Sequence, residues 1–531
     1  MQVTRAARRL SAMIIQGLGA VLPRTAVTLA AVSVLAAGTP LAVADEFLDK
    51  ANAPFLAIPV SQRMETTLLP AIAKLTPPPA KVERLALALL VTADNTGWAA
   101  VSEWCTSDPS KAALEALKKV TEENDWRKAP TFALPYGAEA ADPDLVTLGM
   151  YVELGDPPSL AMAEFKYLPV VERLVILIQA EVTRLQAAGE TAKAIDLLVR
   201  QVYLGRQMCD RGFFREQKVG YATALTGLMR VRDVIYQDLR SGNSKLTAEQ
   251  VRDQVRRLRD GDGVLGLERL KLPVADRLAG EQLLFRLMTP GAGPDAAQFP
   301  RLLTQLGAPE RPLRKLSDWA KWDAIKSVHA NEVDTRKQLM GVFGDWEKRW
   351  RMRPTDPGLK TLTDFMKTSR ARFGSVDKLI GDLDSLFPLR TQLIVEAAGT
   401  RVTMGVYGFV RKENGNFPPS IVSGVPDILR EQDMTRDLFT GDRREHLRYI
   451  IPGQRGQATV DVQVFNAADQ PAFSVTLTAD SFILYSVGPD GNLNGMRRAT
   501  QMVQDDKGDY LVFPPMLSLI RQNAIDTGEL K

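Results

Sequence analysis

The sequence is almost without histidine and cysteine: His329 and His446 are the only imidazoles in 531 residues, and Cys105 and Cys209 the only thiols. Two histidines all but exclude sites that need two or three imidazoles, among them H-E-x-x-H zinc proteases and the facial triads of iron oxygenases. Two cysteines cannot build a disulfide scaffold. Also absent are G-x-S-x-G, a Walker loop, C-x-x-C and a G-x-G-x-x-G that follows a strand, which removes the usual signatures of serine hydrolases, nucleotide-binding enzymes and thiol redox proteins. The mature chain has no surplus charge. The formal +4 comes from Arg5, Arg8, Arg9 and Arg24, and the 63 basic side chains after them are matched by 63 acidic ones. A balanced chain gives no basic field for nucleic acid, and the run Arg252 to Arg259 alternates with Asp253 and Asp260 as a solvated helix face.

What is present is apolar enough to fold. Hydrophobic residues make up 45% and charged residues 24%, which argues for a globular chain, and the length argues for two or three domains. Residues 1–44 read as a secretory signal: a basic start, the apolar run Thr25 to Ala37, then Pro40 and the Ala42-x-Ala44 pair before Asp45. A retained anchor is the alternative, but the run falls short of the ~20 apolar residues a membrane span needs. Export to the periplasm or the cell exterior is therefore expected, with no membrane span after signal removal. An oxidising compartment would allow Cys105 and Cys209 to pair across a long loop, worth ~4.7 kcal/mol in the chain-entropy picture. Two separate buried thiols fit equally well.

From Glu46 to Leu386 apolar residues recur three and four apart, which predicts helices at about 60–75, 81–94, 110–124, 169–188, 191–210, 214–240, 247–260, 312–348 and 358–383. Thr247-Ala248-Glu249-Gln250 has capping-box spacing. Thr289-Pro290-Gly291-Ala292-Gly293-Pro294 is the best linker, dividing a helical domain (45–290) from a helical connecting segment (291–385). Trp319, Trp322, Trp346 and Trp350 form a stripe of the kind that usually belongs to a core. One hairpin is legible in detail. Leu174, Ile178 and Leu185 line one helix, Gly189 ends it, and Ala194, Ile195, Leu198 and Val202 line the next. Gly189 to Ile195 resembles the centre of a tetratricopeptide repeat, but no second copy follows at a 34-residue period, so an irregular helical bundle is expected.

Past Leu386 the period changes. A helix over about 389–412 gives way to alternating runs at 446–451, 458–465, 473–478, 482–487 and 510–513, the pattern of one helix followed by antiparallel strands. The fold class is thus mainly α with a C-terminal α+β domain over 386–531. Its most informative piece is Leu484-Tyr485-Ser486-Val487-Gly488-Pro489-Asp490-Gly491-Asn492-Leu493-Asn494-Gly495, a strand entering a loop rich in oxygen donors, with Asp505, Asp506 and Asp509 following. Such a loop can aim carboxylates and carbonyls at a hard cation such as Ca2+. Asp-Gly and Asn-Gly are equally the commonest hairpin turns.

Residues 389–515 resemble the globular part of the major pseudopilin of type II secretion systems, in a variant appended to longer secreted proteins. The likeness rests on Gly415-Asn416-Phe417-Pro418, Asp437-Leu438-Phe439-Thr440-Gly441, Leu447-Arg448-Tyr449, Ser486-Val487-Gly488-Pro489-Asp490-Gly491 and Gly508-Asp509-Tyr510. It covers about a quarter of the chain. The resemblance implies a calcium held by Asp490, Asp509 and the carbonyl of Val487; Asn494, Asp505 and Asp506, oxygen donors of the same stretch, are further candidates. Leu438 stands where the family has proline, and Met496 replaces a second glycine. Pro452 to Asp480 adds a strand pair, and the hydrophobic filament-building helix of pseudopilins is replaced by an export signal and a long helical region.

Catalytic candidates are thin. Ser375-Val376-Asp377-Lys378 has S-x-x-K spacing without a K-T-G partner, and His329 and His446 read as packed or surface groups. The expected function is that of an exported, non-enzymatic cell-envelope protein with a structural or protein-binding role. A hydrolase using carboxylates in an interdomain cleft is one alternative, and an accessory factor docking on a type II secretion pseudopilus is another.

Overall fold

The computed structural model describes residues 41–156, 158–241, 246–261, 263–288, 327–353, 356–361, 372–380, 383–429, 435–440, 445–453, 459–465, 470–500 and 507–530, with the single positions 10, 293 and 365. The signal segment up to Pro40 (Leu10 apart), the linker around Thr289 to Pro294 (Gly293 apart), Trp319, Trp322, Asp505 and Asp506 lie outside them.

Before Leu386 the chain is helical apart from one antiparallel strand pair, β1 (Val152–Glu153) with β2 (Glu164–Phe165). In order come α1 (Leu41–Leu56), α2 (Glu65–Ile72), α3 (Trp98–Thr106), α4 (Asp108–Val120), α5 (Leu168–Ala187), α6 (Thr191–Met208), α7 (Phe214–Ser241), α8 (Ala248–Arg257), α9 (Val274–Leu287) and α10 (Glu332–Trp350). The α5–α6 hairpin falls where its apolar stripes place it, with Gly189 at φ 71 in the turn and Ala194 buried. α8 begins with the full capping box of Thr247 and Gln250. Helix α1 starts at Leu41 and continues past the expected cleavage point before Asp45.

Departures from periodicity have local causes. The helix expected over 60–75 is broken after a turn at Val60–Gln62, because Arg63 is extended and bridges Thr131, whose amide bonds the carbonyl of Gln62. α9 carries no stripe, since its buried residues, Asp276 and Gln282 among them, are spread around the helix. Trp346 and Trp350 are core residues that meet Phe387 edge-on at 6.3 and 5.1 Å.

Helices α6 and α7 approach closely enough to need glycine. A Cβ on Gly205 would come within 2.9 Å of three backbone atoms of α7, and one on Gly220 within 2.8 Å of three backbone atoms at the end of α6. Real Cβ atoms do not tolerate such contacts, so the pair can pack this tightly only with hydrogen at both positions.

The C-terminal part opens with α11 (Leu386–Lys412), runs through β3 (Arg448–Ile450), β4 (Val460–Phe465), β5 (Pro471–Leu477), β6 (Ile483–Ser486), β7 (Ala499–Thr500) and β8 (Asp509–Phe513), and ends in α12 (Met516–Asp526). The strand order is β3-β6-β8-β7-β4-β5. The β3/β6, β6/β8 and β4/β5 pairs are antiparallel as expected; β7, too short to be seen in the sequence, runs parallel to β4 and β8 and makes the sheet mixed. β8 is buried along its whole length between α11 and its neighbours. The fold is therefore mainly α with a C-terminal α+β part. One apolar core runs from Phe47 to Leu530, so the change near residue 386 is a change of secondary structure and not a gap in packing. Among the described residues no helix is long and apolar enough to cross a membrane.

Ion pairs buried along α7 hold these parts together. Asp233 pairs with Arg230 of its own helix and with Arg521 of α12 at 2.5 Å, and accepts from Ser518 at 2.8 Å. Arg521 also donates to the carbonyl of Leu89 at 2.5 Å. The residue preceding Asp233, Arg232, pairs with Glu396 of α11 and donates to the carbonyl of Val512 in β8 at 2.7 Å, while Tyr510 donates to Glu396 at 2.6 Å. Asp238 accepts from Tyr407 of α11 and from Thr191 of α6. The two guanidiniums on Asp233 hold its carboxyl below the usual range against the opposing effect of burial, and burial together with Arg521 pulls Arg230 down to about 10. Removing one partner of a buried pair leaves the other charge uncompensated, at a cost of about 3–5 kcal/mol. Asp233→Asn strands two guanidiniums and Arg521→Met strands none, since Arg230 remains. Urea unfolding should therefore show the larger loss for Asp233→Asn, and equal losses would refute this hierarchy.

Candidate functional site

The oxygen-rich loop is built where β6 ends. Ser486 Oγ donates to Asp437 Oδ1 at 2.6 Å, the Val487 amide donates to Asp437 Oδ2 at 3.2 Å, and the Phe439 amide to Oδ1 at 2.9 Å. Gly488 then turns the chain at φ 76, and any Cβ there would overlap the carbonyl oxygen of Gly508, so the two lobes of the loop meet at glycine. Gly491 and Gly495 also take positive φ, and Met496 does so without being glycine, at φ 63, where the family resemblance has its second glycine.

The two acids singled out in the sequence are brought together. Asp490 accepts from the amide of Asn492 at 2.9 Å and from that of Gly508 at 3.1 Å, across the lobes. Asp509 accepts from the amides of Asn494 at 3.0 Å and Met496 at 2.7 Å, also across the lobes. Burial pushes the Asp509 carboxyl up, the Asn494 and Met496 amides pull it down, and the neighbouring Asp490 charge pushes it up again. The two carboxylates are thus near enough to interact. Each oxygen bonded to one amide keeps a second lone pair, so both side chains remain able to ligate a cation while holding the loop closed. Val487 is buried beside them, and the Asn494 side chain donates to the carbonyl of Asn492 at 3.0 Å. Among the described residues no group of three His, Cys, Asp or Glu gathers in a metal-holding arrangement, so a cation here would need loop carbonyls and water to complete its shell. Asp437, which opens the Asp437-Leu438-Phe439 motif, braces the strand end that feeds the loop.

The remaining candidates are brought into unexpected company. His329 Nε2 lies 2.9 Å from Ser375 Oγ and accepts from the Ser375 amide at 3.2 Å, while Nδ1 lies 2.9 Å from the carbonyl of Ala330. Ser375 is fully buried at the start of the short helix Gly374–Ile380, and burial lowers the His329 pKa. The imidazole thus caps that helix. His446 Nδ1 lies 2.8 Å from Thr435 Oγ1. Cys105 and Cys209 are both free and buried in separate surroundings, the first near Glu181 and Arg184, the second near Arg206 and Asp210. Burial pushes the Cys105 thiol up to about 12 and Cys209 higher still.

A second group of acids has no sequence signal. Glu216, at the start of α7, is fully enclosed and accepts from Arg211 at 2.9 Å, from Tyr136 at 2.7 Å, from Tyr167 and from the Phe213 amide at 3.3 Å. The Arg211 guanidinium rests over the rings of Phe55 at 4.3 Å and Tyr136 at 4.9 Å. Asp276 of α9 accepts from the Phe214 amide at 2.5 Å, and its burial, with the Glu216 charge nearby, pushes it up to about 8.

The chain matches no protein-family model, and neither a curated protein nor a solved structure is similar to it.

The raised pKa of Asp276 has a definite sign. A carboxyl that stays protonated in the fold but ionises near pH 4 when unfolded stabilises the protein most in acid, and that contribution is lost as pH climbs toward about 8. Asp276→Asn keeps an oxygen for the Phe214 amide and removes the ionisable group. Its melting temperature relative to wild type should rise steadily between pH 5 and pH 8, by an amount reflecting a few kcal/mol at most; parallel curves would show that Asp276 is ionised in the fold.

Proposed function

We propose that this is an exported cell-envelope protein with a structural or protein-binding role, whose C-terminal α+β part is a pseudopilin-like module stabilised by one calcium ion. The observation that carries this reading is the pairing of Asp490 and Asp509 across the two lobes of the loop, each on the other lobe's backbone amides. In the resemblance drawn from the sequence these are the two carboxylate ligands, and a divalent cation would offset the burial and, with it, the Asp490 charge that raise Asp509. Val487 would contribute its carbonyl. Calcium at the concentrations found outside the cytoplasm suits a protein whose N-terminus reads as an export signal. The helical region, fixed to the module through α7, would present the face that meets a protein partner in the envelope.

One observation favours the hydrolase alternative: Asp276 and Glu216 are neighbouring acids, and the first is displaced to about 8. Both are buried within the helical part, and Glu216 is already occupied by four donors.

Calcium stabilises only if it binds the native state, by about 2.7 kcal/mol at a hundredfold excess over Kd. Thermal unfolding in calcium and in chelator should therefore differ for wild type and coincide for Asp490→Asn, which preserves one acceptor for the loop amides. Coincident wild-type curves would remove the ion. Fractionation of cells expressing the full chain tests the address separately: recovery in the cytoplasmic fraction would overturn export.

A further inference from the structure

The C-terminal sheet ends in two edge strands, and they are not alike. β3 is three residues long and carries Arg448, which pairs with Glu445 at 3.6 Å. A short, charged edge discourages pairing with another chain. β5 is seven residues long, Pro471-Ala472-Phe473-Ser474-Val475-Thr476-Leu477, and carries no charge. It belongs to the strand pair within Pro452 to Asp480 that the pseudopilin resemblance does not account for.

The register determines which backbone groups of β5 look outward. In β4 the amide of Gln463 donates to the carbonyl of Met496 at 3.3 Å, on the side away from β5. Backbone groups alternate along a strand, so Asp461 and Gln463 turn away from β5 while Val462 turns toward it, where its carbonyl accepts from Ser474 Oγ at 3.4 Å. Ser474 lies opposite Gln463, and Thr476 opposite Asp461. These are the non-hydrogen-bonded pairs of the ladder, and Ser474 and Thr476 therefore aim their own N–H and C=O groups off the edge of the sheet. Both residues are exposed, and among the described residues no strand pairs with β5 on that side. Between and beside them Val475 and Leu477 are buried and Phe473 is half-buried, all three on the opposite face.

This edge is complementary to itself. Antiparallel pairing with a second copy about a two-fold axis at Val475 sets Ser474 opposite Thr476, Phe473 opposite Leu477 and Val475 opposite itself. The Ser474–Thr476 pairs become the hydrogen-bonded ones, each exchanging both of its N–H···O bonds, so every outward group finds a partner. Hydroxyl meets hydroxyl on the exposed face, and apolar meets apolar on the other. Over residues 470–480 the one charge is Asp480, which the axis places opposite Gln470 and not against its own copy, and which Arg240 already holds at 3.1 Å. A strand with charges of one sign would repel its own copy directly opposite, or call for a partner of the other sign. We propose that the protein self-associates through β5, as a two-fold dimer in which two six-stranded sheets join antiparallel about Val475.

The test is sedimentation of the full chain over a concentration series. Wild type should pass from monomer to dimer as concentration rises. Ser474→Pro removes an outward amide that makes no bond to β4, so it should keep the wild-type melting temperature and weaken dimerisation by roughly tenfold or more. The double variants Ser474→Lys/Thr476→Lys and Ser474→Glu/Thr476→Glu place like charges opposite one another in the proposed register. Each should stay monomeric alone, and the two should form a mixed dimer when combined. Hydrogen exchange reads the register directly: the Ser474 and Thr476 amides should exchange more slowly as concentration rises, while the Val475 amide, already turned toward β4, should not change. A wild type that stays monomeric at every concentration would overturn the proposal, and so would a dimer that persists in the double-lysine variant. Charge variants that fail to pair when mixed, or a dimer without protection at Ser474 and Thr476, would do the same.

Discussion

Helix α7 is the constraint on which the other elements depend. A helix of 28 residues buried on most sides must satisfy whatever polar groups it carries inside the protein, and this one carries Glu216, Arg230, Arg232, Asp233 and Asp238 in the interior. They are answered by several other elements: the loop before α7 and Tyr136 and Tyr167 at Glu216, α5 and α12 around Arg230 and Asp233, α11 and β8 at Arg232, α6 and α11 at Asp238. Apolar burial could supply comparable stability, but it does not specify partners. Buried ions do, because only one arrangement leaves no charge uncompensated. The C-terminal sheet is consequently fixed in orientation on the helical part and is not merely tethered to it.

The same logic separates the acids that hold the fold from those that are open to ligands. Glu216 and Asp233 are saturated with donors from the protein. Among the described residues Asp490 and Asp509 accept from backbone amides of the loop, an arrangement that closes the loop and leaves each carboxylate with unused lone pairs.

Much of the architecture was legible in the residues. The α5–α6 hairpin, the capping box of α8, the long α11 and most strands fall within a few residues of where period and turn residues put them, because each is determined by its own stripe and its own ends. The S-x-G-x-D-G loop was also legible, since Gly488 and Asp490 act within a few residues of each other. What failed did so for reasons outside the local window. Arg63 is drawn out of a helix by Thr131, α9 has no stripe because it buries Asp276 and Gln282 while exposing Val274 and Phe285, and β7 exists only because β4 and β8 are there to pair with it. His329 and Ser375, read separately as unremarkable, meet across 46 positions.

The sequence alone determined the helical and strand periods, the near absence of imidazole and thiol chemistry, the neutral balance of the chain after residue 44, and the two acids of the loop. These are properties of composition and of neighbours in the chain. Only the tertiary structure decided which charges are partners. Asp233 and Arg521 are separated by 288 positions and Arg232 and Glu396 lie on different helices, and a charged residue in a sequence looks the same whether it faces water or an ion pair. Its meaning depends on desolvation, which is a property of everything packed around it.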